Sequence, residues 1–412
     1  MKKLNTVLYS AILLCIAGIS NSQTINYKDK IMINATSFKI EIAQSVLEDL
    51  QARLKQTRWT DEPKDAGWNY GTNPKYLREL VGYWQTKYDW RKQEAMLNKF
   101  PQFTTKIDDI KIHFLYIKGK GKNPKPLILT HGWPDCFYRF YKVIPMLTDP
   151  ASYGGNAEQS FDVIVPSIPG FGFSDHVALS PDKVALLWAK LMKDVLGYKA
   201  FYAAGGNVGS GVTKFLAVQN PEVVKAIHIT DVDYPNGSED TTKMTEAEKK
   251  FAAFIQGWWA EGGAYNMLQS TKPQTLGYGL NDSPVGLASW ILEKFYSWSD
   301  NKKNIENSFT KDELITNIMI YWVSKSINSS IRMYKESFMA AFDKDGKSLR
   351  MKRIETPTGI ALFPAEAQFP KEWAERSVNV QQFNKMSKGG HFAALEEPEL
   401  WVKEVTSFFY KY

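Results

Sequence analysis

The sequence predicts an α/β fold built on a mostly parallel sheet that is flanked by helices. Short apolar runs followed by turn residues are the first observation, and they lie at residues 127–129, 163–165, 201–204 and 226–229. Runs without polar alternation are typical of strands that are buried on both faces of a sheet. The second observation is that helical segments such as residues 183–195 separate these runs, as in successive βαβ units.

The strand pattern stops between residue 244 and about residue 345, where helical stretches rich in Trp, Tyr and Leu take over. It resumes at residues 359–363 and 378–383. We therefore interpret residues 244–345 as a helical insertion over the carboxyl edge of the sheet, a position suited to a lid. The core then comprises residues 121–243 and 346–412, and a final amphipathic helix is expected over residues 398–409.

The segment before the core predicts an accessory region at residues 23–120. Residues 41–59 carry apolar side chains at helical spacing, and the stretch that follows, up to Phe103, is dense in aromatic residues. Such density is more typical of a packed lobe than of a binding cage.

Residues 1–22 predict a cleaved signal peptide, and hence export to the periplasm or the exterior. Lys2 and Lys3 precede an apolar stretch over residues 11–19, which ends before Ser20-Asn21-Ser22. The alternative is an uncleaved anchor, but the stretch is shorter than the ~20 residues of a spanning helix. We expect no membrane segment after cleavage.

Composition limits the other classes of function. The 412 residues are 44% hydrophobic and 14% aromatic, enough for a large core. The formal charge is +7, but the lysines are scattered and form no stripe, so nucleic acid is not an expected partner. Cleavage of the leader leaves Cys136 as the single cysteine, which excludes an intramolecular disulfide.

Residues 205–209, Gly-Gly-Asn-Val-Gly, directly follow an apolar run and have the pattern of a nucleophile elbow. In this turn a strand reverses into a helix and lifts the central side chain into a pocket. The central residue is Asn207. A carboxamide carries no charge and is not activated by proton removal, so it is a poor nucleophile.

His391, within residues 389–393 (Gly-Gly-His-Phe-Ala), is the predicted general base. It follows the elbow in chain order as the histidine of an α/β-hydrolase triad does. Glu366 is the predicted acid that orients His391, because it comes shortly after the strand at residues 359–363. Asp231, just past the strand at residues 226–229, is an alternative acid position. His113, His176 and His228 lack a comparable setting.

Residues 131–134, His-Gly-Trp-Pro, follow the strand at residues 127–129, where this fold forms half of an oxyanion hole. The backbone N–H groups of Trp133 and Val208 are the predicted donors. The Trp133–Pro134 bond is a candidate for the cis form.

Together these residues resemble the epoxide hydrolases of the α/β-hydrolase superfamily, in particular the microsomal-type branch with an N-terminal accessory domain. The likeness runs from about Phe38 to Phe409. Its specific segments are residues 83–84 and 88–91, 131–134, 161–174, 271–293, 359–366 and 389–398.

The resemblance implies a cofactor-free hydrolase that opens a lipophilic epoxide through a covalent ester. It also implies that two lid tyrosines, Tyr265 and Tyr334 here, donate hydrogen bonds to the epoxide oxygen. The family has aspartate where this chain has Asn207. We therefore expect this protein to bind epoxides but to turn them over slowly or not at all, trapping the substrate.

Several alternatives stay open at this stage. The asparagine has three possible origins: a deliberate substitution that traps the substrate-bound state, natural drift of the chain to a pseudoenzyme, or a residue that deamidates to aspartate. A non-catalytic protein that binds epoxides or diols would keep the same pocket. A haloalkane dehalogenase shares the elbow but commonly has a tryptophan at the position of Val208, and a serine esterase would need serine at position 207.

Overall fold

Among the described residues, the computed structural model has a main sheet of nine strands, six of which run parallel to one another, and a separate pair of strands. The structure describes residues 24–27, 30–237, 239–341 and 351–412. Its strands are β1 Thr24–Tyr27, β2 Lys30–Ile33, β3 Ala35–Phe38, β4 Gln102–Ile107, β5 Ile110–Ile117, β6 Lys125–Thr130, β7 Phe161–Pro166, β8 Phe201–Gly205, β9 Val224–Ile229, β10 Ile354–Leu362 and β11 Val378–Lys385.

The order across this sheet is β11-β10-β9-β8-β6-β7-β5-β4-β3, while β1 and β2 pair separately. Strands β11 to β7 in this order are parallel, and β5, β4 and β3 extend the sheet in antiparallel fashion. Every residue of β7 and β8 is buried, because helices cover both faces. The predicted α/β fold with a mostly parallel sheet is confirmed.

The helices cover the sheet and form the insertion. They are α1 Gln44–Lys55, α2 Pro74–Thr86, α3 Trp90–Leu97, α4 Val143–Thr148, α5 Pro181–Lys190, α6 Val208–Gln219, α7 Glu246–Gly262, α8 Ala264–Thr271, α9 Pro273–Asp282, α10 Pro284–Trp298, α11 Lys311–Ser324, α12 Ile327–Ala340, α13 Lys371–Glu375, α14 Ala393–Glu396 and α15 Pro398–Phe409.

The insertion between β9 and β10 contains α7 to α12, and its helices have strong start signals. Thr245 and Glu248 form a reciprocal capping box at α7, and Thr310 and Glu313 form another at α11. The hydroxyl of Ser283 accepts the Gly286 N–H at the start of α10. These caps satisfy amide groups that would otherwise lack partners, so they fix where each helix begins.

Helices α1 to α3 pack against this insertion rather than only against the sheet. The rings of Trp68 and Tyr296 stack with centroids 4.0 Å apart. The hydroxyl of Tyr83 donates to Asp312 over 2.9 Å, and Arg53 pairs with Asp282 over 2.7 Å. The N-terminal helices thus support the outer side of the insertion.

Among the described residues, no helix is both long and apolar enough to cross a lipid bilayer. The predicted signal peptide at residues 1–22 lies outside those residues, and so does part of the boundary predicted near residue 345. These assignments, like the division into domains, stay predictions.

Candidate active site

Asn207 forms the sharp turn between β8 and α6, with φ 57° and ψ −131°. The turn passes so close to its neighbours that glycine is required around it. A Cβ atom on Gly209 would lie 2.1 Å from the carbonyl oxygen of Thr130, and one on Gly132 would lie 2.5 Å from Oδ1 of Asn207. The Asn207 side chain therefore stands between the elbow and the loop after β6, with part of its surface accessible.

The loop after β6 directs a backbone donor at this side chain. The N–H of Trp133 donates to Oδ1 of Asn207 over 3.0 Å, and the Trp133–Pro134 bond is cis. Val208 is the first residue of α6, so its N–H has no carbonyl partner within the helix. The two predicted oxyanion donors thus flank the elbow, one on each side.

His391 and Glu366 form a hydrogen-bonded pair. Nδ1 of His391 lies 2.7 Å from Oε1 of Glu366, and the two side chains are 8% and 9% exposed. Burial alone lowers the pKa of His391, but the charge of Glu366 and its hydrogen bond outweigh burial, so the pKa lies above its ordinary value. The other ring nitrogen, Nε2, is buried without a partner among the described residues. It is the nitrogen available for proton transfer.

Tyr265 of α8 and Tyr334 of α12 lie against the indole of Trp133. The centroid of the indole is 5.6 Å from the Tyr265 ring, which is nearly parallel to it, and 5.7 Å from the nearly perpendicular Tyr334 ring. Burial raises the pKa of both phenols above the ordinary value, so both are donors at neutral pH. The Tyr334 hydroxyl makes no hydrogen bond of normal geometry to a described residue.

Comparisons with known proteins agree with this arrangement. Residues 35–140 match the family model of the epoxide hydrolase N terminus, and residues 125–278 match that of the alpha/beta hydrolase fold. The chain is 37% identical to epoxide hydrolase 1 of Sus scrofa, over 90% of this chain and 87% of that relative. The chain belongs to the epoxide hydrolase family.

Two solved epoxide hydrolase structures share nearly the whole fold. The juvenile hormone epoxide hydrolase of the silkworm Bombyx mori matches with a TM-score of 0.78 at 31% identity, over 93% of this chain and 95% of that one. The epoxide hydrolase of Aspergillus niger matches with a TM-score of 0.79 at 29% identity, over 92% and 97%. The resemblance expected from the sequence motifs is confirmed.

Arg139 is a residue of this epoxide hydrolase that the sequence motifs did not single out. Its guanidinium pairs with Asp135 and donates to the backbone carbonyl of His391. Asp135 in turn accepts the N–H of Gly132 over 2.9 Å. Both charged side chains are at most 3% exposed. The pair therefore connects the Trp133 loop to the His391 loop. In the sequence, the only sign of this ion pair was the i,i+4 spacing of its two residues directly after residues 131–134.

Glu396 anchors the other side of the His391 loop. Its carboxyl group accepts the N–H groups of Gly390, Phe392 and Asp300 at 2.9–3.2 Å. Burial is the main cause that raises its pKa to about 7, although the hydrogen bonds from Asp300 and Phe392 oppose the shift. Three amides on one carboxyl group fix the backbone on both sides of the histidine.

Asp231, the alternative acid, lies near both members of the pair. Its carboxyl group interacts electrostatically with Glu366 and with His391, but the hydrogen bond to Nδ1 is made by Glu366. Glu366 is thus the partner of His391 in this structure. His113, His176 and His228 are apart from this group: His113 bonds to Ser167 and Gln102, His228 lies near Glu404, and His176 accepts from Arg332 through its carbonyl.

Proposed function

We propose that this epoxide hydrolase binds a lipophilic epoxide beside Asn207 and that the amide group blocks the first chemical step. The observation that carries the proposal is the His391–Glu366 pair, at 2.7 Å, with Nε2 of His391 left free. Such a pair serves to deprotonate water, and nothing in the pair itself is impaired.

The reaction that this site suits has two steps when aspartate occupies position 207. One carboxylate oxygen attacks a ring carbon, the C–O bond of the epoxide breaks, and the alkoxide takes a proton from Tyr265 or Tyr334. His391 then removes a proton from water, and the hydroxide attacks the ester carbonyl carbon. The N–H groups of Trp133 and Val208 hold the resulting oxyanion, and its collapse releases the diol and the carboxylate. The proton on His391 then returns through solvent to the tyrosinate, which restores both groups.

With asparagine at position 207, the elbow of this chain carries no carboxylate nucleophile. Its amide lone pairs are delocalised, and Oδ1 accepts from Trp133 over 3.0 Å. By analogy with the removal of other catalytic groups, the expected loss of rate is ~10⁴ to 10⁶-fold. The rings of Trp133, Tyr265 and Trp298 pack together beside the elbow, and aromatic surroundings of this kind favour retention of a lipophilic epoxide.

The test compares diol formation by the chain as it stands with that by Asn207→Asp, using aryl and alkyl epoxides at equal protein concentration. Asn207→Ala is the matched control, because it removes the amide without adding a carboxylate. Peptide mapping before the assay shows whether position 207 has deamidated. We expect turnover by the aspartate variant alone.

A second candidate function is binding of epoxides or diols without chemistry. It would replace the first if Asn207→Asp gains no activity although epoxides still bind, as measured by quenching of tryptophan fluorescence. A halide-releasing activity in the aspartate variant would instead favour a dehalogenase.

A further inference from the structure

The loop that carries Asp231 leaves the sheet next to the loop that carries Glu366. Strands β9 and β10 are parallel neighbours, with Ile229 paired to Ile360. Asp231 comes two residues after the end of β9, and Glu366 comes four residues after the end of β10. The carboxyl ends of parallel strands meet at one edge, so both loops enter the site from adjacent positions.

The described side chains that interact with the Asp231 carboxyl come from several elements. They are Glu366 after β10, His391 before α14, Tyr234 in the loop of Asp231 itself, Lys214 of α6 and Tyr265 of α8. Lys214 is buried, but its ammonium already lies 2.5 Å from Asp233. Among the described residues, Asp231 therefore has no cation of its own.

Burial and, next, the charge of Glu366 raise the pKa of Asp231 well above its ordinary value, while Lys214, His391 and Tyr234 oppose the shift. Asp231 nevertheless keeps some accessible surface. Two largely buried carboxyl groups beside each other resist carrying two negative charges.

Two acids placed side by side cost stability. A second acid beside a buried acid opposes folding, since each charge disfavours the other. The arrangement does have a benefit for a histidine base, because a negative charge near the ring stabilises the imidazolium that forms when His391 accepts a proton.

We propose that Asp231 is a positioning residue for His391: it is a second acid beside the Glu366–His391 pair, and it takes over as the acidic partner of His391 when Glu366 is replaced by an uncharged side chain. The proposal rests on the proposed function of His391 as the base. In the intact protein Glu366 is the acid that bonds to Nδ1, over 2.7 Å. When Glu366 is replaced by glutamine, the repulsion on Asp231 disappears and its carboxyl group ionises.

The test titrates His391 by NMR of histidine-labelled protein that retains Asn207, so it requires no turnover. His391→Gln assigns the signal. Burial holds the pKa of His113 at about 3 and that of His131 at about 4, so neither interferes near neutral pH. The variants are Glu366→Gln, Asp231→Asn and the double variant. Asp194→Asn is the matched control, because that carboxyl group is exposed in the turn after α5.

We expect the pKa of His391 to fall in Glu366→Gln and to fall by about one further unit, a tenfold change in proton affinity, in the double variant. Asp194→Asn should leave it within a few tenths of a unit of the parent, on the same scale. Equal titration of Glu366→Gln and the double variant would overturn the proposal. If Asp231→Asn does not fold, Asp231→Leu removes the charge without leaving an unpaired amide.

An activity measurement separates this proposal from the proposed function. With Asn207→Asp in place, ester hydrolysis should slow in Glu366→Gln and slow about tenfold or more further when Asp231 is also replaced. If Asn207→Asp is inactive, the proposed function fails, while the NMR titration still decides the role of Asp231.

Discussion

The backbone N–H of Trp133 donates a hydrogen bond of 3.0 Å to the side-chain oxygen of Asn207. The same N–H would hold the carbonyl oxygen of an ester formed on aspartate at this position. The contact therefore directs Oδ1 of Asn207 toward the Trp133 loop, and the other terminal atom of this side chain, Nδ2, points away from that loop. Restoring a carboxylate there changes that one atom and leaves the backbone unchanged.

This geometry predicts that the ester can be trapped. In the double variant Asn207→Asp/His391→Gln, alkylation should proceed but hydrolysis should stop, because no base activates water. Intact-mass spectrometry after incubation should show the protein plus one epoxide. Asn207 protein with His391→Gln is the control and should gain no mass. An unmodified double variant would contradict a nucleophilic role for position 207.

The two phenols predict a separate defect in ring opening. With Asn207→Asp as the parent, Tyr265→Phe and Tyr334→Phe should each slow ester formation about 10- to 100-fold, since each removes a donor to the developing alkoxide. Single-turnover kinetics measure this step directly. Tyr278→Phe is the lid control, because that side chain is 72% exposed. Equal rates in all three variants would remove both tyrosines from the mechanism.

The Asp135–Arg139 pair predicts a stability effect at the site. Arg139→Met leaves the buried Asp135 carboxylate unpaired and should lower the free energy of unfolding by about 3–5 kcal/mol. Asp135→Leu added to Arg139→Met removes the orphaned charge and should recover part of the loss. Urea unfolding followed by tryptophan fluorescence checks both. A double variant less stable than the single one would speak against this account.

Two glycines of α6 predict opposite outcomes for one substitution. Gly209→Ala would bring Cβ to 2.1 Å from the Thr130 carbonyl oxygen, so it should destabilise the protein and displace the elbow. Gly211→Ala meets nothing closer than 3.8 Å and should stabilise the helix by about 0.5–1 kcal/mol. Thermal unfolding of the two variants tests the pair, and equal melting temperatures would show that the elbow has room to relax.

Glu396 predicts how stability varies with pH. Its folded-state pKa of about 7 exceeds its ordinary value of 4.5. The protonated form therefore contributes stability that is full below pH 4.5 and is lost as pH rises through 7. Relative to Glu396→Gln, the unaltered protein should lose stability between pH 5 and pH 8. Urea unfolding at both pH values measures the difference, and no change in it would contradict the raised pKa.

The sequence predicted the parallel half of the sheet because its strands are buried on both faces and therefore read as apolar runs. The antiparallel half was missed. Lys106 in β4 and Lys111 in β5 are exposed near the ends of their strands and interrupt the apolar pattern. The chain then resembled an accessory lobe although β3 to β5 belong to the main sheet.

The motifs likewise named residues whose spacing along the chain is characteristic, such as Asn207 and His391. They gave no sign of the contact from Arg139 to the His391 carbonyl, because 252 positions separate the two residues. The sequence likewise offered Asp231 and Glu366 as alternative acids and gave no sign that the two interact. Only the pairing of β9 with β10 brings those loops together.

The stacking of Trp68 on Tyr296 and the Arg53–Asp282 pair bear on how this protein can be recombined with its relatives. A chimaera that imports a foreign insertion between β9 and β10 would lose both contacts unless it also imports α1 to α3 from the same parent. The crossover points of such a chimaera are therefore best placed in the strands of the main sheet. The N-terminal helices and the insertion, although far apart along the chain, should be exchanged together.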